Sequence, residues 1–575
     1  MTERVILERN VPVAMRDGVT LMADVYRPAG DAAVPALIQR TPYDKTFHPF
    51  TWAVLDPTKM AAAGYAVVIQ DVRGRFMSGG EYPGLFVAEP ADGHDTVQWA
   101  ASQPWCDGNV GMYGVSYMGM AQWWAATTQP PALRAIAPVT TGLDLYENYL
   151  HRGGALQLGH LAAWTLASHG PNALVRRLIA TPEKLGPAVA GLIDAMDALD
   201  EHLARVPVVP FPPVDDHDLG PWFAEIATQE ARGPQHDDRS LTGRHPRIQV
   251  PALQIAGWFD VLLQNDLDHF VEMRARAGSE DARHLTRIVI GPWAHAAFLP
   301  VVGELDFGLR AAGTLIDLRE DLTGLHKRWF DARLKGEASG IDDEPPVKLF
   351  VMGRNRWRAA DSWPLPASEQ RWHLHGGGSL SRLPPGDAEP SVVTLDPDDP
   401  VPTFGGQILL MPKHIRGPRE QSRIEQRDDV LLFTSEPLTE DLEVIGRVLF
   451  RCWVAADTVD TDVVARLCDV HPTGESYNVV DGILRLRFRD GPSEPTPLTP
   501  GDVVEVEVDL WSTAHVFLAG HRLRLQVCAS DFPRYDRCPG TGESSAVAKQ
   551  IAPQRNRIFH DPQRPSHLVL PVIST

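Results

Sequence analysis

Val110-Gly111-Met112-Tyr113-Gly114-Val115-Ser116-Tyr117-Met118-Gly119 is the stretch that decides the fold. A short β-branched and aromatic run ends in glycines around one serine. Residues 118–128 (Met-Gly-Met-Ala-Gln-Trp-Trp-Ala-Ala-Thr-Thr) follow at once with good helix formers. Strand, tight turn and helix in that order make an elbow that lifts a serine hydroxyl above a sheet. The helix N-terminus behind it faces any negative charge that develops. Gly377-Gly378-Ser379 is the contrasting case, a glycine cluster with no helical run after it.

On both sides of the elbow lie short, near-continuous apolar runs at 36–39, 65–70, 110–113, 135–139, 252–256 and 287–290. Such runs suit strands buried on both faces. Helical patterns such as 92–101 and 118–128 separate several of them, so the predicted core is α/β with a parallel sheet. Arg16-Asp17-Gly18 between apolar runs predicts an N-terminal hairpin. Residues 314–334 read as one long amphipathic helix closing the core. From 143 to 245 the runs at 156–169, 172–180 and 187–205 are helical, 206–218 is rich in proline and aspartate, and no strand-like run intervenes. This segment is expected to be an inserted helical cap. Beyond about 354, alternating runs at 444–453, 462–470, 482–488, 503–510 and 522–529 predict a β-sandwich or jelly roll. The expected domains are therefore 1–143 with 246–353 (α/β core), 144–245 (cap) and 354–575 (β domain).

A chain of 575 residues is too long for one core. Its formal charge of −20 disfavours nucleic acid and anionic membranes as partners. Cys106, Cys452, Cys468, Cys528 and Cys538 are few and scattered and carry no metal-type spacing, so reduced structural thiols are expected. The N-terminus has no apolar signal region and no run is long enough to span a membrane, which makes the cytoplasm the expected location. No metal and no organic cofactor are expected. A homodimer is one assembly the sequence permits.

Functional groups of open α/β sheets gather beyond the carboxyl ends of the strands. After 252–256 comes Gly257-Trp258-Phe259-Asp260, and after 287–290 comes Gly291-Pro292-Trp293-Ala294-His295. Ser116, Asp260 and His295 thus follow the Ser…Asp…His order of α/β-hydrolases. An imidazole must take the serine proton, and a carboxylate must hold that imidazole in the right tautomer. Taken alone, Asp260 also suits a helix cap and His295 a turn. The Tyr117 amide is the expected first oxyanion donor. Tyr43, in the loop after 36–39, offers either a phenolic O–H or an aromatic ring packed at a turn.

Thr41-Pro42-Tyr43, Asp71-Val72-Arg73-Gly74-Arg75 with Ser78-Gly79-Gly80, Trp105 to Gly111, Gly114 to Gly119, Gly257 to Asp260 and Gly291 to His295 resemble the signature blocks of the CocE/NonD serine hydrolases, X-Pro dipeptidyl-peptidase-like α/β-hydrolases. Val351-Met352-Gly353, Trp363 to Pro366 and Ser566 to Pro571 extend the resemblance over essentially the whole chain. Met118 departs from the general G-x-S-x-G elbow, but the family is similar in this respect. The resemblance implies an α/β-hydrolase core, a helical cap and a C-terminal jelly roll. It implies Ser116, Asp260 and His295 as catalytic triad and the Tyr43 hydroxyl with the Tyr117 amide as oxyanion hole. By similar placement in an esterase of the family, Tyr149, Trp164, Leu262 and Phe404 would line the acyl pocket. Two of these differ in type from that esterase: tyrosine replaces tryptophan and leucine replaces phenylalanine.

The expected activity is hydrolysis of uncharged carboxylic esters, aromatic or short in the acyl part, through an acyl-enzyme. The alternatives are an α-amino-acid ester hydrolase, a β-lactam acylase or an X-Pro dipeptidyl peptidase. These need carboxylates for a substrate ammonium, and the first acid after Asp260 is Asp266. A third class is a binding protein with an inert hydrolase core, against which the complete set of three residues argues.

Overall fold

The computed structural model describes residues 4–142, 144–409 and 413–574. Ten strands form the first sheet: β1 (Val5–Ala14), β2 (Thr20–Pro28), β3 (Val34–Thr41), β4 (Ala66–Asp71), β5 (Cys106–Val115), β6 (Leu133–Val139), β7 (Leu253–Phe259), β8 (Arg287–Ala294), β9 (Val347–Val351) and β10 (Arg356–Ala360), in the order β1-β2-β4-β3-β5-β6-β7-β8-β9-β10. The outer hairpins β1–β2 and β9–β10 are antiparallel, as is β2 on β4. Every pairing from β4 through β9 is parallel. Strand β10 still belongs to this sheet, so the boundary expected at 354 falls inside the β9–β10 hairpin and moves to about Ala360.

Side chains alternate across the sheet as its pleat requires. Ala36 and Ile38 face helices α1 (Glu89–Ala101) and α2 (Tyr117–Thr127), packing with Val97, Ala100, Trp123 and Trp124. Leu37, Val67 and Ile69 face the other way, onto Leu325, Trp329 and Phe330. Helix α3 (Leu263–Arg276) follows β7, and α4 (Leu322–Phe330) closes the second face. Only the latter half of the helix expected at 314–334 forms as one element. The Asp321 carboxylate accepts from Gly324 N–H at 2.6 Å and caps it there. Apolar periodicity runs through that cap signal and hides it.

The inserted segment is helical over Leu158–Ala163, Gly170–Leu178, Pro182–Asp197, Leu199–Leu203 and Trp222–Thr228, with a widened helical turn at Trp164–His169. It also holds a two-residue hairpin, His151–Arg152 with Ala155–Leu156, that the sequence reading lacked. The hairpin turn presses on the C-terminal domain. A Cβ on Gly153 would lie 2.1 Å from the Ile483 carbonyl oxygen, and one on Gly154 2.3 Å from the Phe488 ring. The cap is also tied to that domain by the Val208 and Val209 amides, which donate to Ser545 and Ala546 carbonyls at 3.2 and 3.0 Å.

The C-terminal domain is one long ladder of strands that folds over its own core. Val448, Phe450, Cys452 and Val454 alternate inward along Leu442–Ala456 and meet Leu525, Val508 and Leu568 from other strands. Trp258, Phe259, Phe350 and Val351 of the first sheet pack against Ile445, Trp511, Ala514 and Val516, which docks the two domains through a shared apolar seam. Among the described residues, no helix is long and apolar enough to cross a membrane.

Candidate active site

Strand β5 delivers Ser116 into a strained turn, with φ 58° and ψ −126°. Such a conformation persists only where the surroundings impose it. Here the Ser116 amide donates to Val139 O at 2.8 Å, while its carbonyl accepts from Gly119 and Met120 at 2.8 and 3.0 Å. Gly114 sits at φ 141°, and a Cβ on Gly119 would come within 2.2 Å of Thr141 Cγ2. Gly119 is thus required by the close approach of the chain at 139–141, and Gly114 by its positive φ and by Met118, whose Cβ would lie 2.7 Å from a Cβ there.

Asp260 and His295 stand beyond the ends of neighbouring β7 and β8. His295 Nε2 is 2.8 Å from Ser116 Oγ, and Nδ1 is 2.9 and 3.2 Å from the Asp260 carboxylate oxygens. A carboxylate only accepts, so Nδ1 carries the proton and the Nε2 lone pair faces the serine hydroxyl. Asp260 is fully buried and also accepts from Leu262 N–H at 2.7 Å. The helix-entry role and the histidine-partner role therefore coincide in one side chain. Both ring nitrogens of His295 are thus engaged, Nδ1 with Asp260 and Nε2 with Ser116.

The Tyr117 amide lies in the first turn of α2, where amides have no intrahelical acceptor. The Tyr117 phenol donates to Glu89 at 2.9 Å, and Glu89 is ion-paired to buried Arg40. Burial raises the Glu89 carboxyl, against the pull of Arg40. Tyr43 approaches from the loop after β3. Trp164 Nε1–H donates to its phenolic oxygen at 3.2 Å, which leaves the Tyr43 O–H free to point at the neighbouring Ser116. Burial raises the Tyr43 pKa, so the phenol keeps its proton. Buried Arg75 donates to Pro42 O at 3.1 Å and to Ser168 O at 2.7 Å, fixing the Tyr43 loop against the cap.

Tyr149, Trp164 and Leu262 fall in one apolar cluster with Tyr43 and Tyr117. Phe404 does not join them. Gly405 and Gly406, at φ 81° and 88°, turn the chain after it. Its ring packs with Val401 and Ile424 under the Arg419 guanidinium, 4.1 Å away. From the C-terminal domain, Ala546 joins that cluster, and Leu409 and Phe532 pack against it.

Sequence reasoning also missed Glu89, His160 and Arg416. His160 is buried 5.0 Å from the Tyr149 ring, and burial followed by the nearby His295 pushes it down to about 3. Arg416 comes from the C-terminal domain and donates to His295 O at 2.7 Å. Neither carries a local signal, because each reaches the site only through tertiary packing.

The model of the X-Pro dipeptidyl-peptidase (S15 family) matches residues 17–297, and that of the X-Pro dipeptidyl-peptidase C-terminal non-catalytic domain matches 339–569. Cocaine esterase of Rhodococcus sp. (strain MB1 Bresler) is 38% identical over 583 residues, covering 98% of each chain. Among solved structures, an α-amino acid ester hydrolase aligns with a TM-score of 0.82 at 25% identity, covering 100% of this chain and 97% of its own. A CocE/NonD family hydrolase of Staphylococcus aureus, at 19% identity and TM-score 0.69, covers 99% of this chain and 94% of its own and shares the fold.

Proposed function

The chain belongs to the CocE/NonD serine hydrolases of the X-Pro dipeptidyl-peptidase (S15) family, and on that basis we propose that it is a serine carboxylesterase with Ser116 as its nucleophile. The observation that carries this reading is the continuous contact of Ser116 Oγ, His295 and Asp260 at 2.8 and 2.9 Å. Ser116 attacks the ester carbonyl carbon while its proton passes to His295 Nε2. Asp260 stabilises the imidazolium and holds its orientation. The Tyr43 hydroxyl and Tyr117 amide take the charge that forms on the carbonyl oxygen. His295 then gives the proton to the departing alcohol. Water, activated by the same imidazole, releases the acid and restores the serine.

The acyl group is uncharged, aromatic or short, and rests against Tyr149, Trp164 and Leu262. A second reading, an α-amino-acid ester hydrolase, is favoured by the 0.82 TM-score to such an enzyme. It needs an accessible carboxylate near the acyl pocket. Asp266 does not serve: it is fully buried, accepts from Thr141 N and Oγ1 at 3.0 Å, and burial raises its pKa well above the ordinary range. Five buried, unpaired cysteines support a reducing, cytoplasmic location.

A fluorophosphonate probe tests the proposal. Stoichiometric labelling is expected at Ser116, with loss of p-nitrophenyl ester hydrolysis in Ser116→Ala at unchanged Tm. Turnover by that variant, or no adduct on the wild type, overturns it. Phenylglycine methyl ester against phenyl acetate and phenyl butyrate separates the two readings, since strong preference for the free amine favours the second.

A further inference from the structure

At the seam between the α/β and C-terminal domains, three imidazoles gather around one carboxylate. Asp469 and His471 sit on either side of Val470 at the end of the strand Asp462–Val470. His515 lies in the strand Val504–Phe517, and His521 in the turn just before Arg522–Cys528. His521 Nδ1 is 2.8 Å from one Asp469 oxygen, and His515 Nε2 is 3.1 Å from the other. His471 Nε2 is 3.8 Å from that second oxygen, too far for a hydrogen bond. The His471 and His521 rings stand 4.6 Å apart, and one donor atom each from Asp469, His471 and His521 falls within a 4.8 Å span. All four side chains line a cavity of about 160 Å³ whose other wall includes Phe259, Phe307 and Met352.

A two-oxygen carboxylate can satisfy two imidazole N–H groups, and the third nitrogen here has no such role. The convergence suits a shared cation better. Ligand atoms about 2.0–2.1 Å from a tetrahedral Zn²⁺ stand roughly 3.3 Å from one another, so small side-chain rotations within the 4.8 Å span would bring the three donor atoms onto one ion. Imidazole with one carboxylate selects borderline first-row divalent ions over Mg²⁺ or Ca²⁺.

We propose that Asp469, His471 and His521 form a binding site for a divalent transition-metal ion of the Zn²⁺ type, with water completing the coordination and His515 holding the Asp469 carboxylate from behind. All three ligands belong to the C-terminal domain, whereas the cavity is shared with the α/β domain. The ion would replace the His521 N–H···O contact, each ligating imidazole turning its ring proton outward. By holding the strand end and the turn together it would stiffen one wall of the domain seam.

Untagged full-length protein, stripped with chelator, would be titrated with ZnCl₂ by calorimetry and with Co²⁺ by visible absorption. One Zn²⁺ per chain is expected, with a rise in Tm, and Co²⁺ should give the d–d bands of a four-coordinate site. The side chain of His471 is about one-third exposed, so His471→Ala should fold normally. It should lose at least about tenfold in zinc affinity and lose the zinc-dependent rise in Tm, with ester hydrolysis unchanged. Zinc uptake by His471→Ala and Asp469→Asn equal to wild type would overturn the assignment. So would failure of the wild type to bind Zn²⁺ below about millimolar concentration.

Discussion

Arg416 of the C-terminal domain donates to the main-chain oxygen of His295 at 2.7 Å, so the backbone of His295 is held by a residue from outside the α/β domain. Burial lowers the Arg416 pKa while Asp260 opposes that shift, which brings a second domain into the electrostatics of the histidine–aspartate pair.

Arg416→Met should therefore cut kcat by about ten- to a hundredfold, the worth of a charge-assisted hydrogen bond of roughly 1.5–3 kcal/mol, with KM little changed. Arg416→Lys should recover part of the loss. Steady-state kinetics on a p-nitrophenyl ester checks both, and equal kcat for all three proteins would return Arg416 to a packing role.

Tyr43→Phe removes one oxyanion donor while keeping the ring. It should lose about 2–4 kcal/mol of transition-state stabilisation, seen in kcat, with fluorophosphonate labelling still confined to Ser116. Because burial raises the Tyr43 pKa above its ordinary 10, the wild-type rate should show no loss from phenol ionisation at pH 10. A full rate in the variant would contradict the donor role.

Asp260→Asn keeps an oxygen for the Leu262 amide, so the entry to α3 should survive. The amide cannot fix the Nδ1–H tautomer, and kcat should fall roughly 10³–10⁴-fold. Circular dichroism close to wild type alongside that loss separates chemistry from folding.

Stability should fall in acid. Burial pushes His151, His160 and His169 down to about 3, whereas in the unfolded chain they titrate near the ordinary 6.5. Between pH 6.5 and 3 the unfolded chain binds more protons, so their contribution is complete above 6.5 and is lost as pH drops toward 3. His151 is stacked on Tyr146 with ring centroids 4.4 Å apart, and both its ring nitrogens lack a hydrogen-bond partner among the described residues. His151→Phe keeps the stack and removes one titrating site. Its Tm should match wild type at pH 7.5 and fall less steeply below pH 6; parallel Tm–pH curves would rule this account out.

The parts of the site legible in the sequence were those with local signals. Ser116 was marked by the glycines its strained turn requires, and Asp260 and His295 by their position just past apolar strands. Tyr43 was ambiguous from its loop alone, and the family resemblance pointed to the donor reading. Phe404 lies in a different apolar cluster from the other three pocket candidates, because two glycines redirect the chain immediately after it. Glu89, His160 and Arg416 act through contacts between distant segments, which periodicity and spacing do not encode. The same holds for Asp469, His515 and His521, which lie 46 and 52 residues apart along the chain and meet only when strands pair.

Gly153 and Gly154 have no room for a side chain because the cap hairpin rests directly on the backbone and ring of residues 483 and 488. Translation delivers the serine, the aspartate and the histidine to the ribosome exit long before those later residues emerge. A growing chain therefore owns its whole reactive trio while the hairpin still lacks the surface it leans on. The order of synthesis thus makes a domain that emerges after the trio the one that gives the hairpin its support.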